Sequence, residues 1–174
     1  ANFKAGLKLN ADAGLIGLPN AGKSSLLNAL TRANAKVGAY AFTTLDPNLG
    51  ALAGGYILAD IPGLIEGAAE GKGLGHKFLR HVKRTKALFH LVSLENEDVE
   101  AVYSGIRKEL EKYGNGLTEK KEVIVLSKTD LVDADAVARA RDVLSKHGND
   151  ILEVTILDDE SVKRFGDKVT QLLQ

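Results

Sequence analysis

Apolar and polar positions follow two alternating patterns along this chain, and each pattern predicts one kind of secondary structure. Short apolar runs rich in β-branched residues predict strands over residues 7–16, 49–53, 56–60, 87–93, 123–127 and 151–155. Longer stretches, in which leucine and valine recur every three or four residues, predict helices over 23–31, 75–84, 98–113, 134–146 and 160–173.

This alternation predicts a doubly wound α/β domain. Strand, helix and strand in succession form a parallel unit, so we expect a mostly parallel six-stranded sheet with helices on both faces. Residues 49–60 are the exception, because Gly54 and Gly55 join two short strands there and favour a tight antiparallel hairpin. Asn10 and Asp12 put polar groups into the predicted first strand, whose early half alternates as a half-exposed strand would. Ligands of such sheets bind beyond the carboxyl ends of the strands.

The first loop at that edge has a sequence that suits phosphate binding. Residues 17–24 read Gly-Leu-Pro-Asn-Ala-Gly-Lys-Ser between a predicted strand and a predicted helix, so the backbone amides can surround a β-phosphate. Lys23 is expected to reach the β- and γ-phosphates, and the Ser24 hydroxyl to bind Mg²⁺. The alternative is a glycine turn beside a helix with an ordinary surface lysine. The predicted nucleotide contacts here are Pro19, Asn20, Ala21, Gly22, Lys23, Ser24 and Ser25.

A second ligand for the metal is predicted at the end of the strand over 56–60. Asp60 ends this strand, and its carboxylate is expected to hold Mg²⁺ through water. Gly63 lies three residues after Asp60, and its backbone amide is expected to contact the γ-phosphate when GTP is bound. An aspartate at a strand end often caps a turn instead, but the nearby phosphate loop favours the metal site.

The choice of base is predicted from residues 127–130, Ser-Lys-Thr-Asp, which resemble the Asn-Lys-x-Asp guanine motif. The Asp130 carboxylate can accept from the N1–H and the amine of guanine, a donor pair that adenine does not present, while the Lys128 stem covers the base. Ser127 replaces an asparagine whose amide normally ties this loop to the phosphate loop, so we expect weaker nucleotide binding. After the last strand, the backbone of Thr155, Ile156 and Leu157 is expected to support the guanine O6.

Composition and charge restrict the remaining classes of function. The 174 residues are 44% hydrophobic and 26% charged, which suits a single domain over residues 1–174. Lys plus Arg equals Asp plus Glu at 23 each, so any nucleic-acid surface must be local. The absence of cysteine excludes disulfides and zinc-thiolate sites and fits a reducing cytoplasm. With no methionine, no signal-peptide pattern and no apolar run of about 20 residues, we expect an excised, monomeric domain without membrane contact.

Four segments resemble the G domain of the Obg family of ribosome-associated GTPases: residues 17–25, 41–50, 59–68 and 73–81. The resemblance implies a P-loop fold and a guanine-nucleotide switch that hydrolyses GTP in ribosome assembly or stress-linked control. Family members also carry a glycine-rich N-terminal domain, and many carry a C-terminal extension. We expect the chain to lack both.

The resemblance further implies two switch segments. Residues 42–44, Phe-Thr-Thr, correspond to switch I, with Phe42 beside the nucleotide and Thr44 rather than Thr43 on Mg²⁺ and the γ-phosphate. The alternative is an ordinary extended segment rich in threonine. Residues 63–75 correspond to switch II, whose five glycines allow it to reorder when the γ-phosphate leaves. The predicted catalytic residues are Lys23, Thr44 and Gly63, and the predicted metal ligands are Ser24, Thr44 and Asp60.

Slow turnover is expected, because Leu64 stands where many small GTPases carry a glutamine that orients water. Asn20 corresponds to a K⁺ ligand of cation-dependent GTPases, and K⁺ beside the phosphates can stabilise the transition state. The alternative for Asn20 is a turn residue after Pro19. A nucleotide-binding module with negligible turnover is the competing function, and Asp130 disfavours an ATP-dependent kinase or ATPase.

A basic run that follows switch II predicts a partner surface. It comprises Lys72, His76, Lys77, Arg80, His81, Lys83, Arg84 and Lys86, with no acidic residue inside it. Contact with ribosomal RNA or a ribosomal subunit is one interpretation, and a solvated helix face, which the sequence alone favours, is the other. Elsewhere, His90 is expected to be a satisfied core residue, residues 119–122 exposed loop charge, and the acids over 158–160 helix caps.

Overall fold

Six strands and four helices make up the described part of the chain, residues 11–35, 49–52, 54–61, 85–114 and 116–174 of a computed structural model. The strands are β1 (Ala13–Gly17), β2 (Leu49–Ala51), β3 (Ile57–Asp60), β4 (Ala87–Ser93), β5 (Lys121–Ser127) and β6 (Ile151–Val154). The helices are α1 (Lys23–Ala35), α2 (Val99–Tyr113), α3 (Ala134–Ser145) and α4 (Asp159–Leu173). Single 3-10 turns lie at Pro19–Ala21, Leu117–Glu119 and Thr129–Leu131. The predicted helix over 75–84 lies outside the described residues.

The strands form one sheet in the order β2-β3-β1-β4-β5-β6. All neighbours are parallel except β2 and β3, which pair antiparallel. The carboxyl ends of β1, β3, β4 and β5 therefore meet at one edge of the sheet. The prediction of a mostly parallel six-stranded sheet with one antiparallel hairpin strand is confirmed.

The turn between β2 and β3 has the geometry that its glycines allow. Gly55 has a φ of 89°, in the left-handed region, where a side chain would add strain. Leu52 N donates to Tyr56 O at 2.9 Å, and Gly55 N donates to Leu52 O at 3.0 Å. The predicted tight hairpin is thus present.

Helices cover both faces of the sheet, as the doubly wound pattern predicts. One core cluster joins the sheet to α1 and α4 and includes Leu27, Phe89 and Phe165, with the two phenylalanine rings 6.5 Å apart edge to face. On the opposite face, Leu88 packs with residues of α2 and Val92 with residues of α2 and α3. Burial of these apolar side chains drives the packing of both layers. No helix within the described ranges is long and apolar enough to cross a membrane.

The first strand begins later than its sequence pattern predicts. Ala11 and Asp12 precede β1, so the prediction that the strand includes these two residues is wrong, and residues 7–10 lie outside the described residues. The Asp12 carboxylate accepts from Ile57 N at 2.7 Å, and Asp12 O accepts from Lys86 N at 2.8 Å. Asp12 therefore joins the starts of the neighbouring strands instead of extending β1.

Aspartate side chains begin three of the helices. Asp98 accepts from Ala101 N at 3.0 Å, Asp133 from Ala136 N at 2.8 Å, and Asp158 from Glu160 N at 3.0 Å. Each carboxylate satisfies an amide that the first helical turn leaves unpaired and lies at the positive end of the helix dipole. The predicted cap before α4 is confirmed for Asp158.

Glu122 corrects the prediction of exposed loop charge over residues 119–122. Lys121 and Glu122 belong to β5, and Glu122 is buried. It accepts from His90 Nδ1 at 2.9 Å and from the Arg107 guanidinium. Burial works to raise the pKa of Glu122, but these two partners outweigh it and hold the pKa below its usual range. His90 is a core residue as predicted, although its Nε2 has no hydrogen-bond partner among the described residues.

Replacing Glu122 with glutamine is expected to lower the free energy of unfolding by about 3 kcal/mol at pH 7, because it leaves Arg107 and His90 without their carboxylate. The lowered pKa means that folding favours the charged carboxylate. Its contribution is therefore complete above the ordinary glutamate pKa and is lost as the pH falls through the lowered value. Urea unfolding over a pH series measures both effects. Glu119→Gln, at an exposed position, is the matched control, and equal stability of the two variants would contradict this prediction.

Candidate functional site

The loop after β1 is shaped by two glycines. Gly17 has a φ of 153°, and a Cβ atom there would lie 2.7 Å from Leu91 O, so a larger residue would collide with β4. Gly22 has a φ of 97° and ends the turn Pro19–Ala21 immediately before α1. No acidic residue lies in the first turn of α1, so the positive end of this helix dipole is not neutralised. These features suit the anion-binding role that the sequence predicts for this loop.

Lys23 lies under this loop and is buried. Its Nζ donates to Gly17 O at 2.9 Å and lies 3.7 Å from Asp60 Oδ1. The ammonium group is thus held between Gly17, at the start of the loop, and the end of β3. A buried cation at this position supplies charge where phosphate oxygens are predicted to bind.

Asp60 ends β3 beside Lys23 and is also buried. Burial raises the pKa of its carboxyl above the usual value, while the positive charge of Lys23 and the Ile61 amide counteract this effect. Oδ1 has no hydrogen-bond partner among the described residues. A buried carboxylate oxygen in this state is costly, and a divalent cation would compensate it.

The donor set at this edge fits Mg²⁺. Asp60 contributes a buried carboxylate, and Ser24 contributes a hydroxyl at the exposed first turn of α1. Hard oxygen donors, few in number and completed by phosphate and water, are the ligands that Mg²⁺ prefers. The other residues predicted to act here, Phe42, Thr44 and Gly63, lie outside the described residues, as does Leu64.

Ser127 corrects the expectation that the base loop has lost its tie to the phosphate loop. Its Oγ donates to Ala21 O at 2.8 Å, between residues 106 positions apart in the chain. Ser127 is buried at the end of β5, and its own carbonyl accepts from Leu94 N at 3.0 Å. The serine hydroxyl reaches a carbonyl that the shorter side chain was expected to miss, so the reason for weaker binding does not hold.

Lys128 begins the base loop in a left-handed conformation, with a φ of 59°. Its Nζ donates to Asn20 O at 2.9 Å and to Glu95 Oε1 at 2.7 Å. The stem passes 3.8 Å from the position that a Cβ atom on Gly22 would occupy. Lys128 therefore spans from the base loop to the phosphate loop. The sequence analysis missed Glu95, although its place two residues after β4, at the carboxyl edge, was a usable signal.

Asp130 is exposed and is oriented by the loop after β6. Its Oδ1 accepts from Thr155 Oγ1 at 2.7 Å, and Thr155 Oγ1 in turn accepts from Leu157 N at 3.2 Å. Thr155 N donates to the buried Ser161 Oγ at 3.0 Å, which fixes this loop. The threonine side chain thus acts on Asp130, whereas the sequence predicted only a backbone contribution from residues 155–157.

Many of the predicted phosphate and base residues line one cavity of about 280 Å³, although Lys23, Ser24 and Thr155 are not part of its lining. Its walls are Pro19, Asn20, Ala21, Gly22, Ser25, Leu26, Leu91, Ser127, Lys128, Asp130, Val154 and Ile156. Leu157 is 75% exposed and is not part of this lining. The apolar wall formed by Leu26, Leu91 and Val154 was not predicted. A larger cavity of about 670 Å³ between α3 and α4 opens at the amino end of β6, away from the predicted ligands.

Only one residue of the predicted basic surface is described. Lys86 donates to Leu173 O at 3.4 Å and lies 5.6 Å from the centre of the Tyr56 ring. These contacts give this lysine partners within the domain. The other seven basic residues of the run lie outside the described residues.

Comparisons with known proteins agree with this geometry. A family model described as 50S ribosome-binding GTPase matches residues 12–128. The GTPase Obg of Rhizorhabdus wittichii is 45% identical over 171 residues, which cover 96% of this chain and 50% of the relative. The GTPase Obg of Picosynechococcus sp. is 49% identical over 172 residues, with 97% and 47% covered. The chain spans about half the length of these curated relatives.

Solved structures show the same fold at low sequence identity. A GTP-binding protein from Sulfolobus solfataricus in complex with GDP matches with a TM-score of 0.66 and 20% identity, over 99% of this chain and 55% of that chain. Translation elongation factor SelB from Methanococcus maripaludis, in its apo form, matches with a TM-score of 0.57 and 13% identity, over 95% and 33%. The predicted P-loop G-domain fold is confirmed.

Proposed function

The chain belongs to the family of 50S ribosome-binding GTPases, as a G domain of the Obg type, and we propose that it is a guanine-nucleotide switch. In this proposal it binds GTP and GDP with Mg²⁺ and slowly hydrolyses GTP to GDP and phosphate. One observation carries the proposal: the phosphate loop and the base loop line the same cavity and are joined by the Ser127 hydroxyl on Ala21 O.

Each part of the nucleotide has a group that suits it. The amides of the phosphate loop and the Lys23 ammonium attract phosphate oxygens at the amino end of α1. The Lys128 stem covers the base and ribose. Asp130, oriented by Thr155, accepts from the two donors of guanine. Adenine presents no such pair of donors, so these contacts favour guanine.

Mg²⁺ would be held by Ser24 and Asp60, together with Thr44 of the predicted switch I. When bound, the ion neutralises charge on the β- and γ-phosphates. Lys23 adds positive charge beside the same oxygens, and the Gly63 amide is expected to contact the γ-phosphate. Because Leu64 cannot orient water, these groups stabilise charge without activating the nucleophile, and intrinsic hydrolysis is slow.

In this proposal, K⁺ and the ribosome accelerate GTP hydrolysis from outside the domain. Asn20 lies in the cavity wall, where a K⁺ ion beside the phosphates could take the electrostatic role of an arginine. The predicted basic run provides a surface for ribosomal RNA in the full-length protein. The relatives are named GTPase Obg, and a role in ribosome assembly or stress-linked control in the cytoplasm fits these features.

Competition against labelled GDP tests the proposal. GTP and GDP should displace the label and ATP should not, with Mg²⁺ strengthening GTP binding. Phosphate release should be slow and faster in KCl than in NaCl at equal ionic strength. If ATP displaced the label as effectively as GTP, the proposed preference for guanine would be wrong. Nucleotide binding without phosphate release would favour a binding module without turnover. Equal rates of phosphate release in KCl and NaCl would contradict the role of K⁺.

A further inference from the structure

The loop after β4 places a carboxylate against Lys128, one of the residues that line the nucleotide cavity. Glu95 Oε1 accepts from Lys128 Nζ at 2.7 Å, and the two side chains are 41% and 32% exposed. The hydrogen bond from Lys128 is the main cause of a lowered pKa at Glu95. Glu95 belongs to neither the phosphate loop nor the base motif, yet it contacts the lysine that joins them.

Glu95 is itself held by the end of a rigid strand. Ser93, the buried last residue of β4, donates through Oγ to Glu95 Oε1 at 3.2 Å and accepts from Glu95 N at 3.1 Å. Asn96 Nδ2 also donates to Ser93 O, at 3.0 Å. The position of the carboxylate is therefore set by the sheet and not only by an exposed loop.

Lys128 needs such an anchor because its stem is long. A lysine side chain loses considerable rotamer entropy when it is fixed. Here two acceptors from different loops, Asn20 O and the Glu95 carboxylate, hold the same ammonium group. The stem between them and the left-handed backbone of Lys128 forms one wall of the cavity.

We propose that Glu95 is a positioning residue for guanine-nucleotide binding: it holds the Lys128 ammonium against the phosphate loop, so that the stem is ordered before base and ribose arrive. This inference rests on the proposed function. Without Glu95, ordering of the stem accompanies binding and reduces affinity. The stem covers the base but does not read the exocyclic amine, which Asp130 does, so GDP and IDP should weaken equally.

Binding of GDP and IDP to the whole chain and its variants tests this role. Glu95→Gln should raise the Kd of both nucleotides about threefold, the size expected for a partly exposed ion pair. Glu97→Gln, an exposed glutamate in the same loop, should leave both Kd values unchanged. Glu95→Asp, which keeps the charge on a shorter side chain, should give an intermediate loss. The thermal midpoint of the nucleotide-free protein should be the same for all of them.

A double-mutant cycle with Lys128→Met separates positioning from a general effect on the loop. In that background Glu95→Gln should cause no further loss of affinity. Unchanged Kd values in Glu95→Gln would overturn the inference. So would a further loss in the Lys128→Met background, or a loss for GDP alone, which would indicate a distorted base loop. If the wild-type chain binds neither nucleotide, the proposed function fails and the inference fails with it. If only the variant comparison fails, the proposed function stands.

Discussion

Asp130→Asn is expected to weaken GDP binding about 100-fold and to improve binding of XDP. The carboxylate accepts from two donors of guanine, and hydrogen bonds to a charged group contribute about 1.5 kcal/mol or more each, which together give this factor. Xanthine carries a carbonyl where guanine has its amine, so an asparagine amide can donate to it. The asparagine can still accept from Thr155 Oγ1, so the loop geometry should be retained.

Competition of GDP and XDP for the same site measures this change. Asp135→Asn, at an exposed position in the first turn of α3, is the matched control and should leave both affinities unchanged. Similar GDP affinity in wild type and Asp130→Asn would show that Asp130 does not read the base. Loss of both GDP and XDP binding would assign it a structural role.

Lys23→Ala is expected to reduce GDP affinity by at least about 100-fold, because a charge-assisted contact with the phosphates is lost in a buried site. GMP, which has no β-phosphate, should bind the variant and the wild type with similar affinity. Lys163→Ala, on the exposed side of α4, is the control for loss of a positive charge. An equal loss for GMP and GDP would mean that the loop has collapsed.

The same substitution should change how stability depends on pH. Lys23 counteracts the raised pKa of Asp60, so its removal raises that pKa further. A carboxyl with a raised pKa contributes stability below its unfolded value and loses it as the pH rises through the folded value. The stability of nucleotide-free Lys23→Ala should therefore fall more steeply above pH 4 than that of wild type. Urea unfolding across this pH range measures the difference. Parallel curves of stability against pH for wild type and Lys23→Ala would contradict the coupling between Lys23 and Asp60.

The elements of the fold were predictable where the signal is local. The sheet order is compatible with the alternation of strands and helices, and the boundaries of β4 match the prediction because its apolar run is continuous. The start of β5 was placed too late, since Lys121 and Glu122 are charged. The polar character of Glu122 is compensated by His90, 32 positions away, and no pattern in a short window contains that partner.

Residues of the candidate site were also predictable only where the signal is local. Gly17 and Gly22 have positive φ values, and the spacing of the phosphate loop already indicated these glycines. Replacement of asparagine by Ser127 looked like a loss, because the sequence does not show how near Ala21 O lies. Glu95 was missed for the same reason, since its importance comes only from the Lys128 ammonium.

By itself the sequence determined the strand-loop-helix context of the phosphate loop, the acid at the end of β3, the base motif and the family. These features depend on backbone preference and on residue types a few positions apart, which local sterics and periodicity control. Only the tertiary structure decided which groups meet: Ser127 with Ala21, Lys128 with Glu95, and Thr155 with Asp130, across 106, 33 and 25 positions. The reason is physical, because the packed sheet brings the carboxyl ends of distant strands together, and hydrogen bonds of 2.7 to 2.8 Å form only where that packing places donor and acceptor.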